Sequence, residues 1–227
     1  YLFVITSFVA NAVVRDDVTG FGPMIRATPV GRINFLAGRF LGGLVIAILG
    51  YMAVPIGIAL GAVLMTAMSV HLVSILQGQG YSLAAAIGLA ALLGPSQVGS
   101  RVLQVFSRKR HPIWTTLISV VFVAIGLVLV SIAPALTALG LVLYGAGNGL
   151  RAIVRGLLPL ALMPPTHYVL LMGRMARPSL IGQALTPLAG GYLLQTWGAG
   201  IVLAGLSSLA IVNVILVLFL LQLVRKK

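Results

Sequence analysis

The chain has 227 residues, 60% of them hydrophobic and only 7% charged, with a formal net charge of +13. A soluble domain carries about a quarter of its residues charged to wet its surface, so this composition excludes a water-soluble globule and implies an integral membrane protein. With no cysteine in the chain, disulfides, thiolate metal sites and cysteine nucleophiles are excluded as well.

A spanning helix needs about 20 apolar residues to cross about 30 Å of hydrocarbon. On that scale the spans fall at 1–14, 38–65 running on to 77, 82–106, 112–132, 136–163, 168–194 and 200–224. Each is continuously apolar rather than alternating, which indicates helices and not barrel strands. The expected fold is all-α, a polytopic bundle of about six to seven transmembrane helices. Segment 1–14 starts apolar at Tyr1 and reads as the tail of a span whose beginning is missing. The stretch between Arg39 and Gly78 is long for one helix; Pro55 offers a kink, while Gly57 and Gly61 offer close packing.

The fifteen basic residues are partitioned. Arg15, Arg26, Arg32 and Arg39 flank the first polar loop. Arg101, Arg108, Lys109 and Arg110 follow the 82–106 span, and Arg151, Arg155, Arg174 and Arg177 surround "MPPTHY". Arg225, Lys226 and Lys227 end the chain. The alternate turns "GQGY", "SIAPALT" and "QTWGAG" carry no charge. By the positive-inside rule every basic cluster and the C-terminus face the cytosol of a multi-pass inner-membrane protein. The clusters follow the lipid bilayer, and nucleic acid is not the expected partner.

Residues 66–227 resemble the C-terminal half of a major facilitator superfamily transporter. The resemblance lies in "HLVSILQGQGYSLAAAIGLAALLGPSQVGSRV", the basic turn "SRKRHP", "LVLYGAGNGLRAIVRGLLPLALMPP" and "MGRMARPSLIGQALTPLAGGYLLQTWG". It implies a six-helix half bundle in secondary transport of a small solute, working with a missing N-terminal half, a second copy or a partner subunit. One departure is that "SRKRHP" lacks the acidic residue usual beside the family's arginine cluster. Residues 1–64 differ. There "RDDVTGFGPMIRATPVGRINFLAGRF" resembles the first cytosolic loop, here 15–37, of a permease subunit of an ABC-type exporter. That likeness implies an ATPase-facing role for Asp16, Asp17, Thr19, Gly20, Thr28, Pro29 and Arg32, and a separate ATPase chain. The two resemblances together imply a junction of two transporter pieces inside the long apolar stretch. The alternatives are an exporter permease subunit and a non-transporting membrane fragment.

Polar side chains inside spans are costly and face a cavity or another helix. Tyr144, Asn148, Arg151 and Arg155 share one helical face, as do Gln97, Arg101 and Gln104, and Ser179, Gln183 and Thr186. One reading is a polar cavity wall in which Arg151 or Arg155 attracts a carboxylate or other anion. In the other, arginines snorkel to lipid phosphates while Asn and Gln stitch helices. His71, in "SVHLVSILQ", is either a proton-coupling group or an interhelical hydrogen-bonder. "GAGNG", 145–149, has neither a preceding strand nor a downstream acid, so it reads as close helix packing and not a nucleotide loop. "TPLAGGY" reads as a kink and a tight contact. No spanning segment holds a carboxylate and no Walker motif occurs, so enzyme chemistry, a metal and a cofactor are not expected.

Overall fold

In the computed structural model the described residues are 31–106, 112–162 and 168–225. The expected span 1–14, most of the loop 15–37 with Asp16, Asp17, Thr19, Gly20, Thr28 and Pro29, the turn "SRKRHP" through His111 and the turn at 163–167 lie outside them. The described chain is almost entirely helical. It comprises α1 (Arg32–Gly78), α2 (Leu83–Ala91), α3 (Leu93–Phe106), α4 (Pro112–Ile132), a short 3-10 turn (Pro134–Leu136), α5 (Thr137–Leu162) and α6 (Tyr168–Arg225). Among the described residues five stretches are long and apolar enough to cross a membrane, the longest being Met172–Leu223, and the protein is a polytopic α-helical membrane protein. The chain divides into two compact units, 1–53 and 54–227, and the helical bundle belongs to the second.

Three of these helix ends have a local cause. Pro112 opens α4 at the position where a missing N–H costs nothing, and Ser82 caps α2 by accepting the Ala85 N–H at 3.2 Å. The expected single helix 82–106 is interrupted at Leu92. Pro95 brings no N–H to the Ala91 carbonyl and crowds it, so the helix closes with a tighter Leu92-to-Leu89 bond and restarts as α3. The expected uncharged loop at 195–199 is replaced by one residue. α6 stays helical up to Gly198, whose φ of 77° and ψ of 173° break it.

Close approaches give the directions of the limbs. Val63 faces Gly182, His71 faces Gly190 and Gly78 faces Ala199, so the first limb of α6 runs parallel to α1. Beyond Gly198 the direction reverses, because Ala199 lies at Gly78 while Asn213 lies back at Gly57. α4 and α5 are antiparallel, with Gly126 against Gly140 and Ser119 against Gly147. α3 runs parallel to α5, with Ser96 at Gly145 and Ser100 at Gly149. Residues 54–225 thus form six alternating limbs: 54–78, α2–α3, α4, α5, 168–197 and 199–225. Leu64, Met68, Leu72 and Ile75 of α1 pack in one apolar core with Val123 and Leu127 of α4, Leu141 and Tyr144 of α5, and Leu203 and Leu206 of α6. The α2–α3 span is the least embedded, 11% buried against 56% for the span that includes α5.

The uncharged turns are bonded to one another. Gln79 Nε2 donates to the Val130 carbonyl at 2.9 Å, and Tyr81 Oη lies 2.8 Å from the Pro134 carbonyl and 3.0 Å from Thr137 Oγ1. These bonds tie the α1–α2 turn to the α4–α5 turn. Tyr81→Phe is expected to cost about 1 kcal/mol, the usual net value of a hydrogen bond, measured by reversible unfolding in dodecyl sulfate. An unchanged midpoint would show that the hydroxyl does not hold the two turns together.

Candidate functional site

The polar face of α5 lies on α1. Tyr144 is buried, and its hydroxyl donates to the Leu64 carbonyl at 3.2 Å. Asn148 Nδ2 donates to that same hydroxyl at 3.3 Å, so the phenol uses both its donor and its acceptor capacity. One turn on, Arg151 Nη1 donates to the Gly61 carbonyl. Arg155, exposed, lines a small recess with Ile58 of α1 and Met172, Met175 and Ala176 of α6. Positions 64, 61 and 58 of α1 therefore meet 144, 151 and 155 of α5, a ladder between two antiparallel helices.

α1 can accept these bonds because each helical carbonyl keeps a second lone pair. The ladder also depends on Gly61. A Cβ there would fall on the guanidinium carbon and two of the nitrogens of Arg151, so the bare glycine gives the cation its place. Arg151 lies within the span Pro134–Ala161, ten residues before its end. An arginine within a span is costly unless it faces a cavity or a partner.

The other candidates are distributed around the bundle. His71 Nε2 lies 3.2 Å from the Pro187 carbonyl. A carbonyl only accepts, so Nε2 carries the hydrogen. The ring sits in a notch where a Cβ at Gly190 would come within 2.7 Å of Cδ2 and Nε2, which makes His71 an interhelical hydrogen-bonder. Gln183 bonds within its own helix, to the Ser179 carbonyl at 3.2 Å and hydroxyl at 3.1 Å. Gln97 packs its backbone on Gly149. Gln104 Nε2 donates to Thr115 Oγ1 at 3.0 Å, joining α3 to α4, while Arg101 is exposed. The structure thus brings Tyr144, Asn148, Arg151 and Arg155 together and leaves Gln97, Arg101, Gln183 and His71 outside that group. The side chain of Arg32 lies outside the described residues.

Two features went unnoticed in the sequence. Asn213, buried in the last limb, faces the Cα of Gly57, and its Oδ1 has no hydrogen-bond partner among the described residues; an amide in the middle of a largely apolar span was the available signal. Ser119 Oγ donates to the Gly147 carbonyl at 2.8 Å, where only a hydroxyl on α4 marked the contact. Among the described residues no three His, Cys, Asp or Glu side chains converge as a metal site would require.

No protein-family model, curated protein or solved structure matches the chain, and the functional reading rests on the arrangement of its own residues.

Proposed function

We propose that the unit 54–227, which takes in the 66–227 segment resembling a major facilitator half together with residues 54–65, is one helical half of a secondary transporter of that type, moving a small solute by alternating access. One observation carries the reading. The polar ladder joins the first and the fourth of six alternating limbs. In halves built from two three-helix repeats of inverted topology, those limbs correspond to each other, and such transporters place their sites near midplane at the repeat interface. Arg151 lies on the α5 side of that interface, within a span. The tight glycine contacts along α4, α5 and α6 suit a bundle that moves as a rigid body against a second one.

A half bundle provides one wall of a translocation path, so the working unit includes a second half. Proteoliposomes holding this chain alone are expected to take up no phosphate or dicarboxylate above empty liposomes, with or without a proton gradient. Adding a matching six-helix half is expected to give gradient-driven uptake that ATP does not support. Uptake by the chain alone would remove the half-bundle reading. Uptake that requires ATP and a co-purifying ATPase would transfer the function to the exporter-permease alternative.

A further inference from the structure

Among the described residues the guanidinium of Arg151 has no carboxylate to meet. The chain holds two acidic residues, Asp16 and Asp17, and none from residue 18 onward. The hydrogen bond of Arg151 goes to a neutral carbonyl, which takes one of the five N–H donors of an arginine. Tyr144 cannot serve as the counter-anion, because its hydroxyl donates to Leu64 and accepts from Asn148 as a neutral phenol. The next charge on the same face is a second cation, Arg155, one turn away and turned toward the recess beside Ile58 and Met175. Two like charges one turn apart on one helix face, one of them part-buried against α1, repel unless something of opposite charge lies between or beside them. Oxygen anions fit this need, since forked guanidinium donors match carboxylate and phosphate geometry.

We propose that Arg151 and Arg155 together bind an oxygen anion, a carboxylate or phosphate group, between α1 and α5. This deepens the transport reading, on which it rests, by giving the solute its charge class. Gly61 keeps the space into which Arg151 extends. The anion comes either from a free solute or from a lipid headgroup, and the chemistry of recognition is the same for both.

The test is equilibrium binding of inorganic phosphate and of acetate to the purified full chain. It is run in lipid-depleted detergent, in phosphatidylcholine nanodiscs and in nanodiscs containing phosphatidylglycerol. Saturable binding is expected in detergent, weakened about tenfold or more by Arg151→Gln or Arg155→Gln, the range for losing a charge-assisted hydrogen bond. Lys109→Gln, an equal loss of charge in the sequence between α3 and α4, is expected to leave it unchanged. Binding retained in both nanodiscs assigns the site to a free solute, and binding lost only with phosphatidylglycerol assigns it to a headgroup. Circular dichroism and gel filtration check each variant; if Arg151→Gln fails to fold, the exposed Arg155 carries the comparison. Absence of saturable binding for both probes, or binding unchanged in both arginine variants, overturns the proposal. Anion binding without gradient-driven uptake by the combined halves would remove the transport reading alone, and uptake without anion binding would remove this site alone.

Discussion

Gly126→Leu is expected to destabilise the bundle by about 3 kcal/mol, the upper end of the usual overpacking range. A Cβ at Gly126 would stand 2.6 Å from the Gly140 carbonyl oxygen, 2.6 Å from the Tyr144 nitrogen and 2.9 Å from the Tyr144 Cα. All three are backbone atoms, so no side chain can rotate away to make room. The contact is reciprocal, since a Cβ at Gly140 would lie 2.8 Å from the Gly126 carbonyl oxygen. It recurs two turns further along, where a Cβ at Gly147 would come within 2.6 Å of the Ser119 carbonyl. In lipid no hydrophobic force holds helices together, and close backbone approach between small residues is a principal source of their attraction. Leucine at 126 therefore removes that attraction as well as adding volume. Reversible unfolding in dodecyl sulfate, followed through Trp114 and Trp197, measures the loss. Gly88→Leu serves as the comparison, because nothing lies within 4 Å of a Cβ there, and its midpoint is expected to stay put. A shift at Gly126 below about 1 kcal/mol, less than typical overpacking, would mean that α4 and α5 do not depend on this crossing. The displacement has a functional consequence too. Tyr144 sits at the crossing, so separating α4 from α5 moves the first rung of the ladder on which Arg151 is placed.

Only some of the interactions that build this bundle leave a mark in its sequence. The span 112–132 was legible to the residue, since Pro112 favours a helix start and the apolar run stops at Ala133 and Pro134. The face shared by Tyr144, Asn148, Arg151 and Arg155 was legible from spacing alone. Its acceptors were not, because Leu64 and Gly61 contribute backbone carbonyls, and every residue has one. Gly57 and Gly61 suggested a close approach, but not that an amide would take one gap and a guanidinium the other. The long apolar stretch after Arg39 stays within one helix that ends at Gly78, with Pro55 inside it. The interruption at Leu92 was missed because Pro95 lies four residues from the carbonyl it leaves unpaired, within a run otherwise apolar enough for one span. Bonds between turns, such as Tyr81 to Pro134, join residues more than fifty positions apart, and no local pattern encodes them.

Gly198→Val is expected to cost at least the 1–3 kcal/mol typical of forcing a side chain into a sparsely populated backbone region, and to misplace the last limb. At φ 77° and ψ 173° this residue occupies a conformation essentially restricted to glycine. The helix it interrupts has 58 residues. Unbroken, it would extend about 87 Å at 1.5 Å per residue, far beyond a hydrocarbon core of about 30 Å. Reversal there is therefore a condition for both limbs to lie in the bilayer, and one residue provides it: the first limb runs along α1 past Val63, His71 and Gly78, and the second returns from Ala199 to Asn213 beside Gly57. Without the positive φ, the chain must find its turn elsewhere. Gly200, with open space at its Cα, is the nearest substitute, and shifting the turn by two residues rotates the second limb by about 200° about its axis. That rotation takes Leu203, Leu206 and Ala210 out of the core they share with α1 and turns Asn213 away from Gly57. Because the chain has no cysteine, an introduced cysteine pair reports the outcome directly. A disulfide or short crosslink between cysteines at Gly57 and Asn213 forms in the parent and is lost in Gly198→Val. The same crosslink yield and the same unfolding midpoint in both would show that the reversal does not need the glycine conformation.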